Sequence, residues 1–147
     1  MYSKDFGPRI DAETFRRLCR AREFMDDCYN LSLDLDTISS QACFSRYHFL
    51  RLFKQAFNKT PHQYLTERRI EKAKALLKSA DHSVTDICYE VGFESPGSFS
   101  TLFHKQVGHP PIIYRARSFF FRRPPLTRVP GCFLMMYGID APPARKF

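Results

Sequence analysis

One pattern occurs twice in this chain, and it constrains the fold more than any other feature. Residues 38–65, ISSQACFSRYHFLRLFKQAFNKTPHQYL, return as residues 87–115, ICYEVGFESPGSFSTLFHKQVGHPPIIYR. Ile38 and Phe44 match Ile87 and Phe93 at an offset of 49. Ser45, Phe49, Phe53, Thr60, Pro61 and Tyr64 align with Ser95, Phe99, Phe103, Pro110, Pro111 and Tyr114 at 50, so the second copy has one extra residue in its turn. An internal repeat decides architecture before any single residue does. Each copy reads as a short helix, a tight turn and a longer helix, and a basic longer helix points at DNA.

Local signals divide the rest of the chain. Residues 1–10 read as a flexible leader containing Gly7–Pro8, and a helical period starts after Asp11, with Phe15, Leu18, Cys19, Met25 and Cys28 near one stripe. Asp34 and Ser45 are candidate N-caps for helices over 35–42 and 46–57. Thr60–Pro61 opens the most regular helix, with proline at its first position. The capping-box-like run Ser83–Val84–Thr85–Asp86 starts a helix that Gly92 stops. Ser95–Pro96 opens the next, and a short helix over 112–117 closes the second copy. The predicted organisation is therefore a first helix-turn-helix subdomain over 11–60, a linker helix over 61–80, a second subdomain over 81–117 and a C-terminal extension over 118–147. In the extension, the apolar runs 119–121 and 132–137 are separated by Pro124, Pro125, Pro130 and Gly131, and read as extended segments of a short hairpin.

Composition narrows the function. Twenty-three Lys+Arg against 15 Asp+Glu give a formal charge of +8, which favours polyanionic partners. No apolar run approaches the roughly 20 residues of a membrane span, and no secretory h-region opens the sequence. The five cysteines show no C-x2-C spacing, so we expect reduced, mostly buried thiols in a cytoplasmic protein, with neither a metal site nor a cofactor. No nucleophile elbow, P-loop or coupled carboxylate pair supports an enzyme, and Asp26–Asp27 reads as a solvated helix face.

The outward faces of the two longer helices carry the functional prediction. In residues 45–57, Phe49, Leu52, Phe53 and Ala56 point inward, and Arg46, Tyr47, Leu50, Arg51 and Lys54 point outward, with no acidic residue in the helix. Arginine can bond guanine O6 and N7, Leu and Tyr can meet thymine methyls, and Lys54 suits a phosphate. The outward apolar Leu50 among arginines asks for a partner. In residues 96–107 the equivalent face is Pro96, Gly97, Ser100, Thr101 and His104. Ser98 and Thr101 are assigned to base contacts or phosphates, and His104 and Lys105 to phosphates; the caps Ser45 and Ser95 join the phosphate set. The first helix is thus expected to read sequence while the second mainly positions. The linker, ~27 Å long at about 1.5 Å per residue, is shorter than the ~34 Å between successive major grooves on one side of a duplex. Single-chain binding to two grooves, with bending of the DNA, follows as an expectation.

The chain resembles the AraC/XylS family of bacterial transcription regulators. The residues that carry the likeness include Leu35–Asp36–Thr37–Ile38, the run 45–54, Thr60–Pro61–His62–Gln63–Tyr64–Leu65, the run 69–77, Val91–Gly92–Phe93 and the run 108–115. The resemblance implies a seven-helix, homeodomain-like domain and, in most members, activation through contact with RNA polymerase. It places base-contacting positions on Arg46, Tyr47, Leu50 and Arg51 in the first unit, and on Pro96, Gly97, Ser98 and Thr101 in the second. Ser39 and Cys88 stand where the family usually has alanine, Asn58 where it has glycine, Thr101 where arginine is common and His104 where lysine is common. Only about ten residues precede the first helix, so the expected likeness is to stand-alone members without a ligand-binding domain. A rival expectation makes residues 118–147 an interaction module whose apolar runs 119–121 and 132–137 form a sheet that pairs between chains, against the plainer expectation that the tail folds onto its own domain.

Overall fold

Side-chain capping and proline decide where the helices begin. The computed structural model describes residues 10–79 and 81–122, with side chains as far as Phe119. Its helices are α1 (Ala12–Asp27), α2 (Leu35–Gln41), α3 (Arg46–Phe57), α4 (Pro61–Leu77), α5 (Val84–Glu90), α6 (Pro96–Val107) and α7 (Pro111–Arg122), and the described residues contain no strand. Asp11, Asp34, Ser45, Thr60, Ser83 and Ser95 each cap one of the first six by accepting a backbone N–H three residues on. Thr60 with Gln63, and Ser83 with Asp86, close reciprocal capping boxes. Asn58 ends α3 at φ 57 and Gly108 ends α6 at φ 87, both in the left-handed region that Asn and Gly adopt most readily.

The duplication extends further back than the turn motifs indicate. Arg16–Arg17–Leu18, Ala21 and Met25 of α1 align with Arg68–Arg69–Ile70, Ala73 and Leu77 of α4 at an offset of 52. Leu18, Ala21 and Met25 are buried in one core with Ile38, Phe49 and Phe53; Ile70, Ala73 and Leu77 are buried in the other with Ile87, Phe99 and Phe103. α4 therefore serves both units. Its N-terminal half closes the first core with Pro61, Tyr64 and Leu65, and its C-terminal half is the first helix of the second. α7 repeats the closing role: Tyr114 lies 5.5 Å from Phe103, as Tyr64 lies 5.9 Å from Phe53. Phe49, Phe53, Phe99 and Phe103 are fully buried, each worth about 1.5–3 kcal/mol of burial.

Four sequence expectations are corrected. Residues 119–121 are helical, because α7 continues to Arg122 instead of stopping near 117. Nothing breaks that helix before Pro124, and the residue preceding a proline is the first one steered away from helical backbone. Ile10, assigned to the leader, packs against the first core. Of the described thiols Cys88 is buried, which pushes its pKa up, but Cys19 and Cys28 are half-buried and Cys43 is exposed. Asp26 is not a solvated face: it accepts from the Tyr64 hydroxyl at 2.8 Å and from Arg68 Nε at 2.7 Å, tying α1 to α4. The remainder of the leader, 1–9, and the expected hairpin around 132–137 lie outside the described residues.

Candidate nucleic-acid interface

The first turn is held from below by α1. After α2, Ala42 is followed by Cys43 at φ 54, then by Phe44 and the cap Ser45. Arg17 donates from Nε to the Ala42 carbonyl at 2.8 Å and from its terminal nitrogen to the Cys43 carbonyl, while its guanidinium lies 3.9 Å from the centre of the Phe44 ring. Carbonyls left over at the end of α2 are thereby satisfied by a charged donor, a stronger arrangement than a neutral bond. α3 starts from this anchored corner, with Phe49 and Phe53 inside.

The opposite face of α3 presents Arg46, Tyr47, Arg51 and Lys54 to solvent, with Tyr47 82% exposed. Leu50 is half-buried, so the apolar outward position is occupied mainly by Tyr47. One neighbour was not foreseen: Asp36 of α2 lies 3.2 Å from Arg46 Nε. The two residues are ten apart on different helices, and only the turn brings them together. Both side chains are more than 60% exposed, and such a pair contributes at most about 1 kcal/mol. Arg51 lies 3.4 Å from His48 Nδ1 on the same helix.

The second turn has the same plan with different surface chemistry. Val91, Gly92 at φ 92, Phe93 and Glu94 lead to the cap Ser95, and Pro96 begins α6. Gly97, Ser98, Thr101, His104 and Lys105 are exposed and Pro96 is half-buried. A Cβ placed on Gly97 would meet nothing within 4 Å, so packing does not demand glycine there. The hydroxyls are engaged locally: Ser95 and Ser98 Oγ are 2.7 Å apart, and Thr101 donates to the Gly97 carbonyl at 3.0 Å. Thr101 thus presents lone pairs outward and keeps its proton within the helix. Arg46, Tyr47, Arg51 and Lys54 correspond to Pro96, Gly97, Thr101 and His104 at an offset of 50, so the two faces share one register.

Between these faces, α4 is held by half-buried polar contacts. The Tyr64 hydroxyl has its pKa pushed up to about 12, chiefly by burial and then by the bond to Asp26. Arg69 donates to the carbonyls of Tyr29 at 2.7 Å and Leu31 at 2.8 Å, and burial lowers its pKa. Arg68 also donates to Glu71 on its own helix, but its contact with Asp26 and both Arg69 contacts reach α1 and the link after it, about forty residues away. Among the described residues no group of His, Cys, Asp and Glu could hold a metal ion, and no helix is long and apolar enough to cross a membrane.

Comparison with known proteins gives consistent matches. A helix-turn-helix domain family matches residues 38–117, more than half of the chain. The transcriptional activator RhaS of Shigella boydii is 35% identical over 88 residues, covering 60% of this chain and 32% of the relative. A helix-turn-helix regulator of Pseudoalteromonas carrageenovora is 35% identical over 88 residues, 60% of this chain and 52% of its own length. The matches to these relatives thus span between a third and half of their length. Among solved structures, the DNA-binding domain of AdpA in complex with a target DNA superposes with a TM-score of 0.68 at 30% identity, covering 74% of this chain and 96% of that one. An AraC-type regulator from Chromobacterium violaceum gives 0.66 at 29% identity, with coverage of 74% and 96%.

Proposed function

The chain belongs to the AraC family of helix-turn-helix regulators, and on that footing we propose that it binds double-stranded DNA as a single chain through α3 and α6. The observation that carries this reading is the acid-free outward face of α3, Arg46, Tyr47, Arg51 and Lys54, with a second acid-free face in the same register on α6 at the other end of α4. Arg46, Tyr47, Leu50 and Arg51 read bases in one major groove, with Ser45 and Lys54 on the phosphates. Pro96, Gly97, Ser98 and Thr101 approach the next groove closely, with Ser95, His104 and Lys105 on its backbone. Small residues and locally bonded hydroxyls offer few discriminating hydrogen bonds, so the second half-site tolerates more sequences than the first. Because α4 is shorter than the groove repeat, the DNA bends toward the protein, at a cost on the order of 1–6 kcal/mol. The regulator acts as an activator through RNA polymerase, in keeping with the relatives named activators.

Selection of bound sequences from a random pool tests the whole reading. A bipartite site with one sharp and one degenerate half supports it; two equally sharp halves, or no enrichment, overturns it. On the selected site, Arg51→Ala relaxes preference at one base position and costs ~1–3 kcal/mol, whereas Lys54→Ala weakens all sequences alike.

A further inference from the structure

The two copies differ in length at one further place. α1 aligns with α4 at an offset of 52, but α2 aligns with α5 at 49, so the stretch from Met25 to Leu35 is three residues longer than that from Leu77 to Val84, two of them extending α1 and one lengthening the link. That longer link, 28–34, is where the first unit meets the second. Arg69 grips it from α4 through the carbonyls of Tyr29 and Leu31. Gly92 backs onto it from the second turn: a Cβ there would lie 2.9 Å from the Asn30 oxygen and 3.0 Å from its carbonyl carbon and Cα. The Tyr29 ring packs against both cores, with Lys72 Nζ 5.5 Å from its centre.

Comparison of equivalent positions shows that this contact is specific to the joint. Cys43, the counterpart of Gly92, holds a left-handed backbone with a side chain present, so the turn conformation alone does not demand glycine. What demands it at 92 is the Asn30 backbone. Arg17 and Arg69 are likewise counterparts, lying over Phe44 and Phe93 respectively. Yet Arg17 clamps the turn of its own unit, while Arg69 reaches into the link of the other.

We propose that the hook at residues 29–31, gripped by Arg69 and seated on Gly92, locks the orientation of α6 relative to α3 and so sets the half-site spacing the protein accepts. Arg69 is in this sense a positioning residue: its donors are engaged with backbone carbonyls and its effect on DNA passes through the geometry of two helices. The orientation claim stands on the fold alone; the spacing claim rests on the DNA-binding reading above.

Two experiments separate these. Residual dipolar couplings of the free, full chain should fit one alignment tensor for both units in the natural protein and two diverging tensors in Arg69→Ala. Arg69→Lys keeps the charge but loses the two-pronged grip, and should diverge as well. Divergent tensors in the natural protein, or a common tensor in a folded Arg69 variant, would overturn the lock. On DNA, inserting one base pair between half-sites moves the second groove by about 3.4 Å and about 34°. The natural protein should then lose about 100-fold in affinity, because a rigid reader cannot engage both halves, and Arg69→Ala should lose within about fivefold. An unchanged spacing penalty in Arg69→Ala overturns the spacing role. If the natural protein enriches no sequence, the DNA-binding reading falls, while the tensor comparison still decides the lock.

Discussion

Positions 43 and 92 occupy the same place in the two turns and share a left-handed backbone, yet they should respond to substitution in opposite directions. Gly92→Ala puts a Cβ at φ 92, where an L-residue is strained by about 1–2 kcal/mol. The same Cβ arrives 2.9–3.0 Å from backbone atoms of Asn30. No flexible side chain can swing aside there, and overpacking of this kind costs about 1–3 kcal/mol. Stiffening of the unfolded chain returns about 0.4–1 kcal/mol. The net expectation is a loss of about 2–4 kcal/mol. Cys43→Gly instead relieves the strain at φ 54, and because Cys43 is exposed it forfeits little burial. Against this stands the extra freedom of glycine in the unfolded chain, roughly 0.5–1 kcal/mol, so the gain is about 0.5–1 kcal/mol. One kcal/mol moves the midpoint of a domain of this size by about 3–4 °C. Thermal and urea unfolding followed by circular dichroism, under reducing conditions, would measure both. A Gly92→Ala variant within about 1 kcal/mol of the natural protein would refute the close approach to Asn30. A destabilised Cys43→Gly would refute the argument that the left-handed turn strains its cysteine.

Other outcomes follow from the contacts around α4 and α6. Asp26→Ala leaves the Tyr64 hydroxyl and Arg68 without their shared acceptor and should cost about 1–3 kcal/mol in the same unfolding assay. Alkaline titration tests that site with a defined sign. The folded Tyr64 holds its proton to about pH 12 against an ordinary tyrosine value of 10.0, so its contribution is fully present below pH 10 and is lost as pH rises toward 12. Tyr64→Phe should flatten that part of the alkaline decline, and an unchanged profile would remove Tyr64 as its cause. Thr101→Arg places on α6 the residue type that Arg51 supplies on α3; it should sharpen the second half-site toward guanine by ~1–3 kcal/mol, read by repeating the selection.

Local signals were legible because they are local. A capping side chain and the backbone N–H that donates to it lie three residues apart, so Asp34, Ser45, Thr60, Ser83 and Ser95 announce their helices without knowledge of the fold. The inward Phe49–Phe53 and Phe99–Phe103 pairs follow from helical period in the same way. Residues 119–121 were misread because a short apolar run carries no period of its own and fits a strand or a buried helix equally well. The partners of Arg17, Asp26, Arg68 and Arg69 are not legible in the sequence, for another reason. A charged residue on a helix does not reveal whether its head group meets water or a carbonyl on a distant link. The signal that would have exposed them was present: the pattern R-R-L-x-x-A-x-x-x-M of α1 returns as R-R-I-x-x-A-x-x-x-L in α4. It was hidden by its offset of 52, three more than that of the turns.

That three-residue difference explains why the copies could diverge where they did. A unit alone requires only its buried stripe, so Leu18, Ala21 and Met25 and their mates Ile70, Ala73 and Leu77 stay apolar. Nothing in the core restrains the outward faces, and these have separated into a cationic, aromatic α3 and a small, nearly neutral α6. The joint imposes a third demand, which only one copy can meet. Glycine is needed at 92, where the longer link docks, and not at 43, where no link arrives; an arginine must reach across units at 69 and stay within its unit at 17. Differences between equivalent positions therefore sort by cause. Those on α3 and α6 answer to whatever the faces touch, and those at 43/92 and within the links answer to the other half of the same chain. An exchange of the α3 and α6 faces should accordingly change what is bound while leaving the fold intact, whereas an exchange of Gly92 and Cys43 should damage the fold and leave the faces as they were.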